Sequence, residues 1–494
     1  MIFPKIGNEF YNEEDRPLLN KMERFYSQSI TINQSFWGEA DTDSRMEAGD
    51  QKLWNSLYGN IPQSRRNQFN FNRIRRMINM ISGYQRQNRK SIIATPVENG
   101  SQETADQFTE IFWHINRKED VLYTISDAFH GALVTGLNML QVWIDYRHDP
   151  ISGEIKLDKC SYNEFMIDPY FRKADLSDCN GIWKRSYLTK KEILTLLPNK
   201  EDEIMDLHPI KSNPDGKFQY MPESYSIGMQ DLLVYDEFYY RDYRPQKMLV
   251  DTQTGESMEW NSEDDEALEQ FLLIYPQVTV MKQDVPTVRL AIVVQGRVMY
   301  DGPQPTGLDC YPFVPVFAYY NPQLPYFPDR IQGVVRGLRD AQYLYNRRKN
   351  IELDILESQV NSGWVYKENS LINPKDVFLS GQGRGIALKD QAEMTDVQRI
   401  QAPEVPQSMI ELSTILSKEI MEISGVNEEL LGSAQDDKAG ILSMLRQGAG
   451  LTTLQSLFDQ LDLSQKLLGQ IFLKLIQMNY TPGKIQRIVK EEPS

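Results

Sequence analysis

The segment MIDPYFRKADLSDCN brings three carboxylates, Asp168, Asp175 and Asp178, within eleven positions of one another. Such spacing suits a metal site or an acid–base pair. It suits equally the turn and cap chemistry by which an aspartate binds backbone amides a few residues away, and that second reading is favoured. The other chemistry-bearing residues do not assemble. His114, His130, His148 and His208 share no metal-ligand spacing. The glycines of SGQGRGIA, Gly381, Gly383 and Gly385, lack the strand–helix setting of a dinucleotide fingerprint and read as a tight turn. No GxxxxGK[ST] loop or GxSxG elbow occurs. Cys160, Cys179 and Cys310 are odd in number and far apart, so neither a disulfide framework nor a CxxC metal pair is expected. The expectation is a protein without catalytic residues, metal or cofactor.

Two stretches carry charge in place of chemistry. Residues 61–97 hold Arg65, Arg66, Arg73, Arg75, Arg76, Arg86, Arg89 and Lys90 with no acid, interleaved with Phe69, Phe71, Ile74 and Met77. That pattern fits phosphate contact or an interface to the acidic surface of a neighbouring subunit, and the chain's overall acidity favours the interface. The second stretch, EISGVNEELLGSAQDDKAGIL, joins two apolar-periodic segments through small residues, four acids and Lys438.

The elements that must position these groups follow from periodicity. The chain has 494 residues, 40% hydrophobic and 25% charged, enough for two or three domains with sizeable cores. Its net charge of −16 argues against a surface that holds duplex DNA everywhere. No signal-peptide core or membrane-spanning run is present, which predicts a soluble, intracellular protein. Helices are predicted over 12–29, 101–118 and 120–139. Strands are predicted in QVWIDY, KLDKCSYNEFMIDP and the β-rich stretch 230–300, with a hairpin turn at Gln295-Gly296. A long helix is predicted from near Asp329 to about 360. A strand-and-turn insert follows, then a helix ending near Ser424, then a leucine-rich helix over 440–478.

The order of long helix, compact insert, antiparallel helix, polar loop and long helix resembles the portal proteins of tailed bacteriophages, most closely those of short-tailed phages. GYQRQNRKSIIATPVENGSQETADQFTEIFWHI, the block marked by Asp168, Pro169, Asp175, Asp178 and Pro198, EISGVNEELLG, and GAGLTTLQSLFDQLDLSQKLLGQIFLKLI carry the likeness, which covers most of 65–480. One departure is that many such portals continue into a C-terminal helical barrel, whereas this sequence stops at Ser494.

The resemblance implies an α+β fold: a wing over 1–326, stem helices at 327–361 and 406–424, a small α/β clip at 362–405, a tunnel loop at 425–440, and a long wing helix with the start of a crown over 441–494. It implies a homo-oligomeric ring, usually of twelve subunits, at one capsid vertex of the virion and assembled in the host cytoplasm. Double-stranded DNA would pass through that ring during packaging and ejection. Expected partners are the major capsid protein, the terminase large subunit and tail adaptor proteins, with no membrane. Under that reading Leu338 and Tyr345 join neighbouring stems. Lys375, Arg384 and Lys389 of the clip dock terminase and adaptor, and Ser433, Gln435, Asp436, Asp437 and Lys438 meet DNA. Rival classes are another connector or tail ring, and a DNA-processing enzyme such as a nuclease or packaging ATPase.

Overall fold

The computed structural model describes residues 15–51, 69–97, 100–208, 232–252, 254–260, 265–360, 363–378, 385–400, 406–425 and 440–490. The chain is 50% helical and 24% strand, an α+β protein. In order, the helices are α1 (Arg16–Ala48), α2 (Ile74–Gln87), α3 (Gln102–Glu119), α4 (Val121–Thr135), α5 (Lys190–Leu196), α6 (Glu201–Met205), α7 (Asp265–Ile274), α8 (Phe327–Arg330), α9 (Val334–Val360), α10 (Gln407–Ser424), α11 (Gly440–Asn479) and α12 (Pro482–Lys490). The strands are β1 (Leu137–Asp145), β2 (Glu154–Cys160), β3 (Phe165–Ile167), β4 (Gly181–Thr189), β5 (Leu232–Asp251), β6 (Ser257–Trp260), β7 (Val278–Val294), β8 (Arg297–Pro303), β9 (Phe313–Phe317), β10 (Tyr319–Tyr320), β11 (Ile331–Gln332), β12 (Trp364–Tyr366) and β13 (Val397–Arg399). No helix among the described residues is long and apolar enough to cross a membrane.

Two compact units emerge, one of Met1–Asp41, Gln85–Gly333 and Ser456–Ser494, the other of Thr42–Tyr84 and Val334–Gln455. The first unit is built on antiparallel sheets ordered β2-β1-β9 and β3-β4-β5-β7-β8, with β6 on the far half of β5. Strands β7 and β8 meet at Gln295-Gly296, both at positive φ (52° and 85°). That is the backbone of a two-residue hairpin turn whose twist matches its strands. Inside the larger sheet, Arg185 on β4 stands opposite Asp236 on β5. The pair is closed by two hydrogen bonds of 2.7 and 3.0 Å, and each side chain is 1% exposed. Trp183 adds its indole N–H to the same carboxylate at 2.9 Å.

Helix α1 is far longer than the 12–29 expected. Its continuation buries Asn33, Phe36, Trp37 and Ala40, and Asn33 both donates to the Ile167 carbonyl and accepts from the Ile167 amide. Polar residues that look like a helix end in sequence are held here by a strand 134 positions away. Helix α4 stops at Gly136, so the predicted 120–139 helix gives its last residues to β1.

The long helix starts at Val334, not near Asp329. Gly333 explains the break. A Cβ there would lie 2.2 Å from the Val134 carbonyl oxygen, so the chain passes directly under the end of α4 before turning helical. Residues Ile331 and Gln332 instead pair with β10. Arg330, 5% exposed, anchors this crossing. It donates to the carbonyls of Leu324, Pro169, Phe171 and Pro325 at 3.1, 3.2, 2.7 and 3.3 Å.

In the second unit, α9 and α10 form an antiparallel pair. Ser413 meets Glu352, and Ile423 lies 3.8 Å from where a Cβ on Gly337 would stand. Leu416 and Ile420 are buried. The described residues 42–51 and 69–84 belong to the same compact unit as α9.

Candidate functional site: paired helices, insert and inter-helix loop

The stretch between α9 and α10 contains β12 paired with β13, joining Trp364 to Arg399, Val365 to Gln398 and Tyr366 to Val397. Short 3-10 turns lie at Pro374–Phe378 and Met394–Asp396. The described part of this insert thus holds strands and turns, with no α-helix. Lys375 is exposed on the first turn, its amide donating to Asn373 Oδ1 at 3.2 Å. Lys389 is exposed beside the bridge between Leu371 and Leu388, its amide donating to the Ser370 carbonyl at 3.1 Å. Both side chains therefore stand on ordered turns and reach solvent. Arg384 lies outside the described residues. Around these lysines, Val365, Ile372 and Met394 are also exposed.

Helix α10 begins after Pro406 and ends at Gly425, whose φ of 71° needs the freedom of glycine. The Gly425 carbonyl accepts the Thr453 hydroxyl at 2.8 Å. Thr453 lies well inside α11, about 20 Å from its first residue at ~1.5 Å rise per residue. The two ends of the polar loop are thereby fixed far apart along one helix. Ser433, Gln435, Asp436, Asp437 and Lys438 lie outside the described residues.

Leu338 and Tyr345 are 0% and 6% exposed within their own subunit. Tyr345 packs edge-on against Phe71 at 6.4 Å and lies under the Arg73 guanidinium. Their apolar surface is therefore taken up inside the chain. Among the described residues, the apolar side chains left open on α9 and α10 are Leu344, Leu356, Ile410, Ile415 and Ile423. Helical periodicity puts the exposed Leu356 on the same face as Leu338 and Tyr345, and it does not say how much of that face the chain's own segments cover.

Several cations of the basic stretch find partners in the same chain. Arg75 pairs with Glu47 at 3.1 Å, Arg86 with Asp127 at 2.5 Å and Lys90 with Asp462 at 2.5 Å, while Arg89 sits over the Tyr123 ring. Arg65 and Arg66 lie outside the described residues. The acidic triplet does turn chemistry. Asp168 accepts from the Tyr170 and Asn180 amides, Asp175 from Ser177, and Asp178 from Arg172 and Lys173. Among the described residues no group of three or more His, Cys, Asp or Glu is arranged to hold a metal ion. The cysteines are free, and burial pushes the Cys160 thiol up to about 12.

One charged cluster was not legible in the sequence. Asp43 of α1, fully buried, accepts from Arg339 at 2.6 Å and Arg336 at 3.3 Å, both on α9. Burial pushes its carboxyl up to about 6, against the pull of the two guanidinium groups. A carboxyl held above its ordinary 3.8 favours the fold most when protonated. That contribution is complete below pH about 4 and is lost as pH rises through about 6. Arg339→Met should therefore destabilise the second unit by about 3 kcal/mol at pH 7.5, where it leaves a buried carboxylate short of counter-charge. The loss should shrink by at least half at pH 5, where Asp43 takes up a proton. Urea unfolding of variant and wild type at both pH values checks this, and an equal loss at both would contradict it.

Two long helices are thus paired around a short stranded insert, and a 40-residue helix follows. A family model described as Phage P22-like portal protein matches residues 23–494. The chain belongs to that family and is a bacteriophage portal protein of the P22 type, a structural class. No curated protein matches it.

Proposed function

We propose that this chain is one subunit of a closed ring, usually of twelve, at a single capsid vertex. The terminase large subunit drives double-stranded DNA through the ring into the capsid, and the genome leaves by the same route once the tail adaptor has docked. Membership of the portal family over nearly the whole chain carries the reading. The major capsid protein surrounds the ring, α9 and α10 form its stem, the insert from 362 to 405 forms the clip, and the loop after Gly425 faces the channel.

The physical chemistry supports a conduit. A basic wall would hold DNA through counterion release, whereas an acidic one keeps the duplex centred and sliding. The net charge of −16 per subunit, repeated around a ring, suits the second. Between Gly425 and Gly440 the sequence carries four acids and one lysine. Asp436 and Asp437 repel the backbone, while Ser433, Gln435 and Lys438 make brief phosphate contacts. Lys375, Arg384 and Lys389 present charge to the docking partners. Neighbouring stems meet through Leu344, Leu356, Ile410, Ile415 and Ile423, which are exposed in the single subunit, in place of Leu338 and Tyr345.

The test uses the purified full-length chain. End-on images should show rings with an axial hole. Leu344→Asp with Ile415→Asp should yield folded monomers, because a charge in an apolar contact is costly, whereas Leu338→Asp should prevent the second unit from folding. Asp436→Lys with Asp437→Lys should leave rings intact and slow DNA passage, most at low salt where screening is weakest. Packaging at the wild-type rate across all salt concentrations would remove the channel role of this loop. Intact rings from the Leu344/Ile415 variant would remove the assembly assignment.

A further inference from the structure

The segment Phe69-Asn70-Phe71-Asn72-Arg73 runs extended along α9 and is bonded on both sides. On the α9 side stand Gln342, Asn346 and Asn350, at intervals of four residues. Each contributes a side-chain amide, which offers both a donor and an acceptor. The Arg73 amide donates to Gln342 Oε1 at 3.0 Å and Gln342 Nε2 donates to the Phe71 carbonyl at 2.9 Å. The Phe71 amide donates to Asn346 Oδ1 at 3.0 Å. Asn350 both accepts from the Phe69 amide and donates to the Phe69 carbonyl, each at 2.9 Å. The match is geometric. Four residues of helix advance about 6 Å, and two residues of extended chain advance about 6.6 Å. Alternate residues of the segment therefore fall on successive helix amides, as they would on a neighbouring β-strand.

The remaining residues face the other way. Asn70 Nδ2 donates to the Gly49 carbonyl and Asn72 Nδ2 to the Glu47 carbonyl, both at 2.8 Å. Gln51 donates to the Met46 carbonyl and accepts from Asn346. The Met46 and Glu47 carbonyls belong to the last turn of α1, whose final carbonyls lack a partner within the helix, and Gly49 follows directly after it; the Met46 carbonyl also accepts the Gly49 amide, and the Gly49 carbonyl the Gln51 amide.

We propose that residues 69–73 are a two-sided strap that opens from its Phe69 end, and that when closed it adds a second bridge between the end of α1 and α9 beside the Asp43 ion pairs. Its hydrogen-bonded hold on α9 is through the main chain, and the Phe71 ring adds an edge-on contact with Tyr345. That hold depends on the three amides of α9. The strap is graded along its length. At one end Phe69 is 55% exposed and held by the half-buried Asn350. At the other, the Arg73 guanidinium lies 4.9 Å from the Tyr345 ring centroid and Arg75 is paired with Glu47. Opening starts at Phe69. Helix α9 meanwhile keeps its buried contacts at Leu338 and Ala341, so the strap can open while α9 stays folded.

Hydrogen–deuterium exchange on the full-length chain tests this. In the wild type the Phe69, Phe71 and Arg73 amides should be protected, yet exchange faster than the α9 amides of 340–350. Asn350→Leu, at the open end, should speed strap exchange by about tenfold or more and leave α9 unchanged. Phe71→Pro keeps the chain extended and removes one donor; it should have the same effect on the remaining strap amides. Asn72→Ala should speed exchange at 47–50 while Phe71 and Arg73 stay protected. Strap amides that exchange only together with α9, or that do not respond to Asn350→Leu and Phe71→Pro, overturn the releasable strap. No change at 47–50 in Asn72→Ala overturns its second side.

Discussion

Replacing Arg330 by alanine is expected to lower the stability of the first unit by about 3–5 kcal/mol, roughly 10 °C in its thermal midpoint. The side chain is almost wholly buried, and its guanidinium serves four carbonyls, those of Pro169, Phe171, Leu324 and Pro325. Those carbonyls belong to two segments far apart in sequence, the Asp168 turn and the chain leading into α9. Folding them together without the arginine leaves buried acceptors that water satisfied in the unfolded chain. Arg330→Lys separates charge from geometry. A lysine carries the charge, but its three donors sit on one nitrogen and cannot reach across the fork that a planar guanidinium spans. It should recover less than half of the loss. Thermal and urea unfolding of both variants measure this, and a lysine variant as stable as wild type would show that charge alone is needed.

Asp236→Ala should cost a similar amount, about 3–5 kcal/mol, because it strands the Arg185 charge at the centre of the larger sheet. Trp183 also loses its acceptor there. Replacing both members of the pair, Arg185→Leu with Asp236→Leu, should recover most of the loss. The cost of a broken buried pair lies in the uncompensated charge, whereas the net worth of the intact pair is small. A double-mutant cycle read by urea unfolding distinguishes the two. If the double variant is as unstable as Asp236→Ala, the pair is doing more than neutralising itself, and the register between β4 and β5 depends on it.

The features legible in the sequence are those whose causes are local. Helix α10 was expected over 406–424 and runs Gln407–Ser424, since a proline precedes it and a glycine follows it. The Gln295-Gly296 turn and the acceptor roles of Asp175 and Asp178 rest on neighbours within a few positions, and Asp168 adds Asn180 twelve positions on. Hydrophobic period, turn residues and short-range hydrogen bonds carry that information in the order of residues itself.

Tertiary structure alone decided the rest. Arg86 and Lys90 read as an unopposed basic surface until Asp127 and Asp462, 41 and 372 positions away, come against them. Leu338 and Tyr345 lie on the same helical face as the exposed Leu356, and only the chain folded over them shows which are covered. The start of α9 is set by the passage of Gly333 under the Val134 carbonyl, a clash that no local propensity registers. The FNFNR strap alternates apolar and polar residues over only four positions, and that pattern does not reveal its partners, because its bonds run between main chain and the amides of a helix some 270 residues away. Each of these depends on excluded volume or on a distant polar partner. A single sequence does not state those distances; the packed chain does.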